Sequence, residues 1–330
     1  MDRNQPKSAP WRTKIDPGTV KVALGMTLHN NVKYLRAAVK SLQHQTHGDF
    51  GLVLVDDQSS DATETIGRRY ERKDDRIRYF RNKRRLGMTE TWRRAFWLAR
   101  KTYPNAKYFS WISDHDIWSP TWLATMLHVL DSEDEILLVY PYTQKITPSG
   151  KTFSYIEPTY FDTAGMPDLR DRWRHMCAHL IGAGNMVYGL FRAESLERAG
   201  VFRNVIMPDR LLMAELTIQG QFQQVPEVLW KRRDLAVSSV GRQRRTLFGE
   251  RRPPLTAYLP WYVVHAGVLV LLNSFTRPGA ARLGFWRLVS MAGRYLWAQM
   301  FRLCRKSYWK WRKLFRARRR GRRVRNNQSQ

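Results

Sequence analysis

Phe50-Gly51-Leu52-Val53-Leu54-Val55-Asp56-Asp57-Gln58-Ser59-Ser60-Asp61-Ala62-Thr63 decides how this chain folds. Its first six residues are an apolar run rich in Val and Leu, the pattern of a strand buried on both faces. The run stops at two adjacent carboxylates, and a polar turn leads into a helix predicted over residues 62–72. Working outward, residues 20–28 read as a preceding strand. A helix follows over 34–45, with Leu35, Ala38, Val39 and Leu42 at helical spacing. Downstream come a strand at 77–80, a helix at 89–102 and a strand at 108–112, which again ends in acidic residues. Alternating strands and helices predict an α/β fold with a mainly parallel sheet. Ligands of such sheets bind at the carboxyl ends of the strands, where both acidic clusters lie.

Residues 137–142 read as a further strand, and 153–171 as an irregular stretch suited to an acceptor loop. The Gly-rich Ile181-Gly182-Ala183-Gly184-Asn185 precedes an apolar run at 186–191, and Asp209 opens a helix reaching about residue 219. No internal repeat is evident. The predicted organisation is a polar leader over 1–18, a catalytic domain over 19–250 and a helical, basic extension over 251–330.

The chain has 330 residues and 43% hydrophobic content, enough for a core without disulfides. Its two cysteines, Cys177 and Cys304, have no metal-ligand spacing and fit a reducing compartment. The first 14 residues lack the apolar core of a signal peptide. Lys and Arg total 57 against 28 acidic residues, a net charge of +29. From Arg251 onward there are 19 basic residues and no Asp or Glu, so the first 250 residues carry only +10. A mildly basic globular part and a strongly basic tail therefore face different partners.

Four segments, in order, resemble family-two glycosyltransferases. They are Met26-Thr27-Leu28-His29-Asn30, Val55 to Thr63, Ser113-Asp114-His115-Asp116, and Met207-Pro208-Asp209 through Gly220 to Val225-Pro226-Glu227. The resemblance covers about residues 19–235. It implies a GT-A fold (Rossmann-like, with a mostly parallel central sheet) and inverting transfer from a nucleotide-diphosphate sugar, UDP-type by preference. It further implies Thr27, His29, Asn30, Asp56, Asp57 and Asp114 as donor-nucleotide residues, Asp114 and Asp116 as metal ligands, and Asp209 as catalytic base. Three departures stand out. Pro208 replaces an acidic residue, Gly87 to Trp92 lacks the family's small-residue pattern, and Arg232, Arg233 and Asp234 stand where a histidine is often found.

The residue types suit that chemistry. A leaving diphosphate needs a divalent cation, and hard carboxylate ligands at Asp114 and Asp116 suit Mn2+ or Mg2+. Uracil offers an N–H that a carboxylate such as Asp57 accepts. Helix capping explains Ser60 and Asp61 better than it explains Asp56 and Asp57. An inverting transfer needs one carboxylate to take the acceptor proton, and Asp209 can do that while also capping its helix. Arg232, Arg233, Arg242, Arg244 and Arg245 read as a basic surface that could also fold over a diphosphate. Trp111, Trp118 and Trp122 read as core residues more than as sugar platforms.

Residues 261–275 are strongly apolar but short of the roughly 20 residues of a membrane span. Tryptophans and arginines then recur at helical spacing, the composition of segments that lie on anionic membranes. Monotopic attachment is favoured over a true span and over soluble packing. The expected location is the cytoplasm, peripheral on the inner face of the cell membrane. The expected partners are a nucleotide-sugar donor, a glycan, lipid-linked or polymer acceptor, and an anionic membrane surface. Nucleic-acid binding would explain the tail but not the acidic clusters. A nucleotidyltransferase would need a Gly-rich, lysine-containing loop near the N-terminus, and none is present.

Overall fold

β1 (Val22–Leu28), β2 (Phe50–Asp56) and β4 (Tyr108–Ser113) are buried along nearly their whole length, which is why their sequences are apolar without alternation. The computed structural model describes residues 15–157, 161–180, 183–235, 244, 246–249, 252–275 and 284–305. Helices α1 (Val32–Gln43), α2 (Thr63–Glu71) and α3 (Met88–Thr102) return the chain between strands. β1 thus pairs in parallel with both β2 and β4, and β2 with β3 (Ile77–Arg81). α1 does this by burying the predicted stripe of Leu35, Ala38, Val39 and Leu42.

Register then decides where the site lies. Thr27 is opposite Val55 on one side and Ser113 on the other. Three parallel strands therefore end level, and the loops after them emerge along one edge.

The sheet has nine strands in the order β3-β2-β1-β4-β8-β6-β9-β5, with β7 pairing β6. β8 (Leu190–Arg192) runs antiparallel between β4 and β6 (Ile136–Ile146), and β6 and β9 (Gln221–Arg233) are parallel. β5 (Ile117–Trp118) is antiparallel on β9. The result is the expected α/β, mostly parallel sheet. This part also contains the helices α4 (Trp122–Ser132), α5 (Leu169–His179), α6 (Ala183–Met186), α7 (Ala193–Ala199) and α8 (Pro208–Gln219).

The stretch 153–171 is more regular than its sequence predicts. β7 (Thr152–Glu157) pairs antiparallel with β6 at its start, and α5 begins at its end. Gly165 and Pro167 punctuate the segment, but Asp168 directly after them caps α5, accepting from the Arg170 and Asp171 amides. Residues 158–160 and 181–182 lie outside the described residues. Trp111, Trp118 and Trp122 are fully buried, as their core reading requires.

Two compact units divide at Leu259–Pro260, whereas the charge composition changes at Arg251. In the second unit, α9 (Trp261–Phe275) contains the apolar run. His265 Nδ1 of α9 meets the Tyr295 hydroxyl at 2.8 Å, on the helix over residues 285–305. Among the described residues no helix is long and apolar enough to cross a membrane. Trp309, Trp311 and the Arg-rich segment 316–325 lie outside the described residues.

Candidate functional site

The level ends of β1, β2 and β4 surround a cavity of about 270 Å³. Thr27, His29, Asn31, Asp57, Ser113, Asp114 and His115 come to it from the three strand ends. Arg85, Gly87 and Met88 come from the β3–α3 loop, and Tyr188 and Thr246 from later in the chain.

The two neighbouring carboxylates of the deciding stretch part company here. Asp56, the last residue of β2, turns into the fold. Its Oδ1 accepts from the Ser59 amide and hydroxyl at 2.8 and 2.7 Å, and its Oδ2 from Tyr79 and Arg81 at 2.6 and 2.9 Å. Asp57 faces the cavity. Its Oδ1 accepts from Asn82 Nδ2 and the Leu86 amide at 2.8 and 2.7 Å, and its Oδ2 from the Gly87 amide at 2.9 Å. Strand alternation explains the split, since consecutive side chains point to opposite faces.

Asn30, also expected in the donor set, is not among the cavity-lining residues. It adopts a left-handed conformation (φ 50°) and bonds the β2–α2 turn, donating its amide to Ser59 Oγ and accepting from the Ser60 amide. The next residue does reach the cavity. Asn31 Nδ2 donates to Asp114 Oδ1 at 2.8 Å. His29 Nδ1 lies 3.0 Å from the Asp57 carbonyl oxygen, which can only accept, so Nδ1 carries a proton.

His115 stands between the two aspartates of Asp-x-Asp. Its Nδ1 is 2.7 Å from Asp114 Oδ1, and its Nε2 is 3.9 Å from Asp116 Oδ1. Burial pulls the imidazole pKa down, but the hydrogen bond to Asp114 and the charges of Asp116 and Asp114 outweigh it, leaving it raised. Asp116 does not line the cavity. It is buried and accepts the Arg233 amide at 2.7 Å, and desolvation raises its carboxyl. Arg233 is itself committed. Its guanidinium donates to the carbonyls of His115, Thr147 and Pro148 and lies 4.5 Å over the Tyr34 ring. Arg232 is the neighbour that turns toward the site, donating to Asn185 Oδ1 at 2.6 Å. Arg242, Gln243 and Arg245 lie outside the described residues.

Among the described residues no group of three His, Cys, Asp or Glu side chains could hold a metal ion. Asp114 fits Mg2+ or Mn2+, which take hard oxygens and draw further ligands from substrate phosphates and water, whereas Asp116, expected as the second ligand, is buried on the Arg233 amide and does not line the cavity. Asp114 receives its described hydrogen bonds on Oδ1, so Oδ2 is the oxygen with capacity for a cation.

Asp209 lies in the first turn of α8. Met207 before it is left-handed (φ 55°), and Pro208 presets the first helical position. α8 is apolar on nearly all sides, burying Leu211, Leu212, Met213, Ala214 and Leu216, and so anchors the carboxylate rigidly. Burial raises the Asp209 carboxyl despite the opposing Arg210 amide and charge. A Cβ on Gly184 would lie 3.3 Å from Asp209 Oδ2, so a glycine in α6 gives this oxygen room. The other carboxylate of α8, Glu215, is fully buried and ion-paired with Arg203 at 3.0 Å.

Tyr188 links the two halves and was not foreseen from the sequence, where it sits inside an apolar run. Its ring packs between Trp92 and Trp230. Burial raises its phenol first, and the charges of Asp116, Asp114 and Asp209 add to the rise against Arg232. Asp209 and the Asp-x-Asp pair thus act electrostatically on one hydroxyl. Arg85 and Thr246 also escaped sequence reasoning, because only tertiary folding brings them to the cavity.

Residues 24–185 match the family described as glycosyl transferase family 2. An uncharacterised glycosyltransferase of Methanocaldococcus jannaschii is 27% identical over 146 residues, 44% of this chain and 48% of that protein. A GalNAc(5)-diNAcBac-PP-undecaprenol beta-1,3-glucosyltransferase of Campylobacter jejuni is 36% identical over 62 residues, 19% of this chain and 20% of that protein. The chain thus spans less than half the length of these curated relatives. S. aureus TarS 1-349 in complex with UDP superposes with a TM-score of 0.58 at 13% identity, covering 84% of this chain and 71% of that one. This likeness is one of GT-A fold. Asp209 lies beyond the matched segment 24–185.

Proposed function

We propose that this chain, which carries a glycosyl transferase family 2 domain, moves a sugar from a nucleoside diphosphate donor to an acceptor hydroxyl with inversion. The observation that carries this reading is the level ending of β1, β2 and β4, which gathers Thr27, Asp57 and Asp114 around one cavity. A UDP-type donor suits Asp57, whose Oδ2 accepts a single described hydrogen bond and so has capacity for the N–H of a uracil ring. Thr27 and His29 complete that wall.

A divalent Mn2+ or Mg2+, held through Asp114 and supported by Asp116, would neutralise the charge that gathers on the leaving diphosphate. Asn31 and His115 orient the Asp114 carboxylate, and the Arg233 amide fixes Asp116. Asp209 takes the acceptor hydroxyl proton as that oxygen bonds to the anomeric carbon and the carbon–phosphate oxygen bond breaks. The nucleoside diphosphate leaves on the opposite face, so the configuration inverts. A carboxyl raised by burial is a stronger base than an ordinary one, which suits this task.

The second unit suits attachment to an anionic membrane surface, consistent with a glycan, lipid-linked or polymer acceptor and a peripheral location on the inner face. On the helix over 285–305, Leu288, Met291, Ala292 and Tyr295 are buried, while Phe285, Trp286, Trp297, Met300 and Phe301 are exposed. Arg287 and Arg294 flank that exposed apolar side by helical spacing. A chain truncated after Arg252 should lose binding to vesicles containing phosphatidylserine, and salt should weaken binding of the full chain. Full-length chain that ignores such vesicles at low salt would count against attachment.

The function is tested by incubating the full chain with UDP-, GDP- and dTDP-sugars and Mn2+ or Mg2+, then reading product anomeric configuration by NMR. Donor turnover with inversion supports the reading. Retention, or no turnover of any sugar nucleotide, overturns it.

A further inference from the structure

The β3–α3 loop and the short segment 246–249 meet backbone to backbone. Gly87 has φ +83° and Gly249 φ +60°, both conformations that L side chains rarely adopt. A Cβ on Gly87 would lie 2.4 Å from the Gly249 amide nitrogen and 2.6 Å from the Phe248 carbonyl carbon. A Cβ on Gly249 would lie 2.6 Å from the Gly87 amide nitrogen. The obstacles are main-chain atoms, which cannot swing aside as a side-chain tip can. Only hydrogen fits at either position.

This contact is seated, not incidental. Leu247 and Phe248 beside it are 0% and 3% exposed, so apolar burial holds the segment down. Both partners also reach the donor cavity. The Gly87 amide donates to Asp57 Oδ2 at 2.9 Å, and the preceding Leu86 amide to Oδ1 at 2.7 Å. Thr246, three residues before Gly249, lines the same cavity with Arg85, Gly87 and Met88.

We propose that Gly87 and Gly249 form a backbone latch that sets donor affinity, holding the Leu86 and Gly87 amides on Asp57 while keeping Thr246 at the cavity wall. Both glycines are positioning residues. They act through Asp57 and Thr246 and need not touch the nucleotide. The proposal rests on the nucleotide-sugar reading of the cavity. It goes beyond that reading by assigning donor affinity to a segment that follows the last strand.

Gly249→Ala tests it. The added methyl must push 246–249 away from Gly87. UDP is titrated calorimetrically, with Mn2+, into the full chain and into the variant, each verified as folded by circular dichroism. The latch predicts a Kd for UDP raised about 10-fold or more, because apparent affinity falls with the fraction of closed segment. A contact serving stability alone would lower the melting temperature and leave the Kd where it was, and that result overturns the latch. Wild-type chain that binds none of UDP, GDP or dTDP overturns the nucleotide reading and the latch with it. Binding by wild type with no change in the variant overturns the latch alone. Should Gly249→Ala fail to fold, hydrogen exchange on the wild-type chain gives the answer. UDP should slow exchange at Leu86, Gly87 and 247–249 together, and protection at Leu86 and Gly87 without 247–249 overturns the proposal.

Discussion

At the parallel edge of β1, β2 and β4, carboxylates are loaded with donors. Asp56 takes four hydrogen bonds, Asp57 three, and Asp114 is held by Asn31 and His115. At the start of α8 the design is reversed. Burial dominates Asp209, and a glycine beside it leaves Oδ2 uncrowded. The donors hold each of the first three carboxylates in one orientation, whereas desolvation raises the basicity of Asp209. The first arrangement suits fixed recognition, and the second suits taking a proton. The two lie on different elements: Asp209 is not among the cavity-lining residues, and its charge is felt there only at Tyr188.

The sharpest way to break this comparison is Asp209→Asn. Turnover should fall about 10²–10⁴-fold, the usual worth of general-base catalysis, while the donor Kd stays within error. Met207, not Asp209, is the N-cap of α8, contrary to the capping role expected from the sequence, so an amide of the same shape at 209 removes no cap and folding should survive. An Asn variant with near-normal single-turnover rates would remove Asp209 from the chemistry.

The adjacent pair offers a smaller contrast. Asp57→Asn should weaken UDP binding by about 10–100-fold, the value of a hydrogen bond to a charged group, with modest loss of stability. Asp56→Asn should do the opposite. It leaves Arg81 and Tyr79 facing an amide, lowering the urea midpoint strongly while affecting UDP binding only through instability. Matching losses in both variants would erase the distinction between an inward and a cavity-facing carboxylate.

A further contrast separates charge from shape at Asp114. Titration of UDP should show weaker binding without Mn2+, and Asp114→Asn should reduce the gain that Mn2+ brings. Equal affinity with and without the ion would show that the carboxylate pair serves the fold alone.

The smallest expected effect is on stability against pH. The Asp209 carboxyl is raised in the fold, so its contribution is present below the unfolded pKa and is lost as pH rises through the folded one. Asp209→Asn should therefore be more stable than wild type at neutral pH, and the difference should shrink on acidification. The same shift moves the acidic limb of the rate profile above the ordinary carboxylate range, since the base acts ionised. A neutral-pH melting temperature lower in the variant would contradict the burial argument.

The sequence by itself determined the strands and helices through β4, because continuous apolar runs and helical stripes are local signals. It also located the acidic clusters at strand ends, and the charge division of the tail. Tertiary structure alone decided the rest. Asp56 and Asp57 are adjacent and identical in type, yet the pleat sends one inward and one to the cavity. Asn30 and Asn31 divide similarly, because a left-handed turn spends the first on bonding the next loop. Arg232 and Arg233 read alike as basic surface, but the β5–β9 pairing locks Arg233 onto the His115 carbonyl. Tyr188, Arg85 and the contact of Gly87 with Gly249 carry no local signature at all. They join the site through segments far apart in sequence, and hydrophobic periodicity reports which side of an element is buried without reporting what is buried against it.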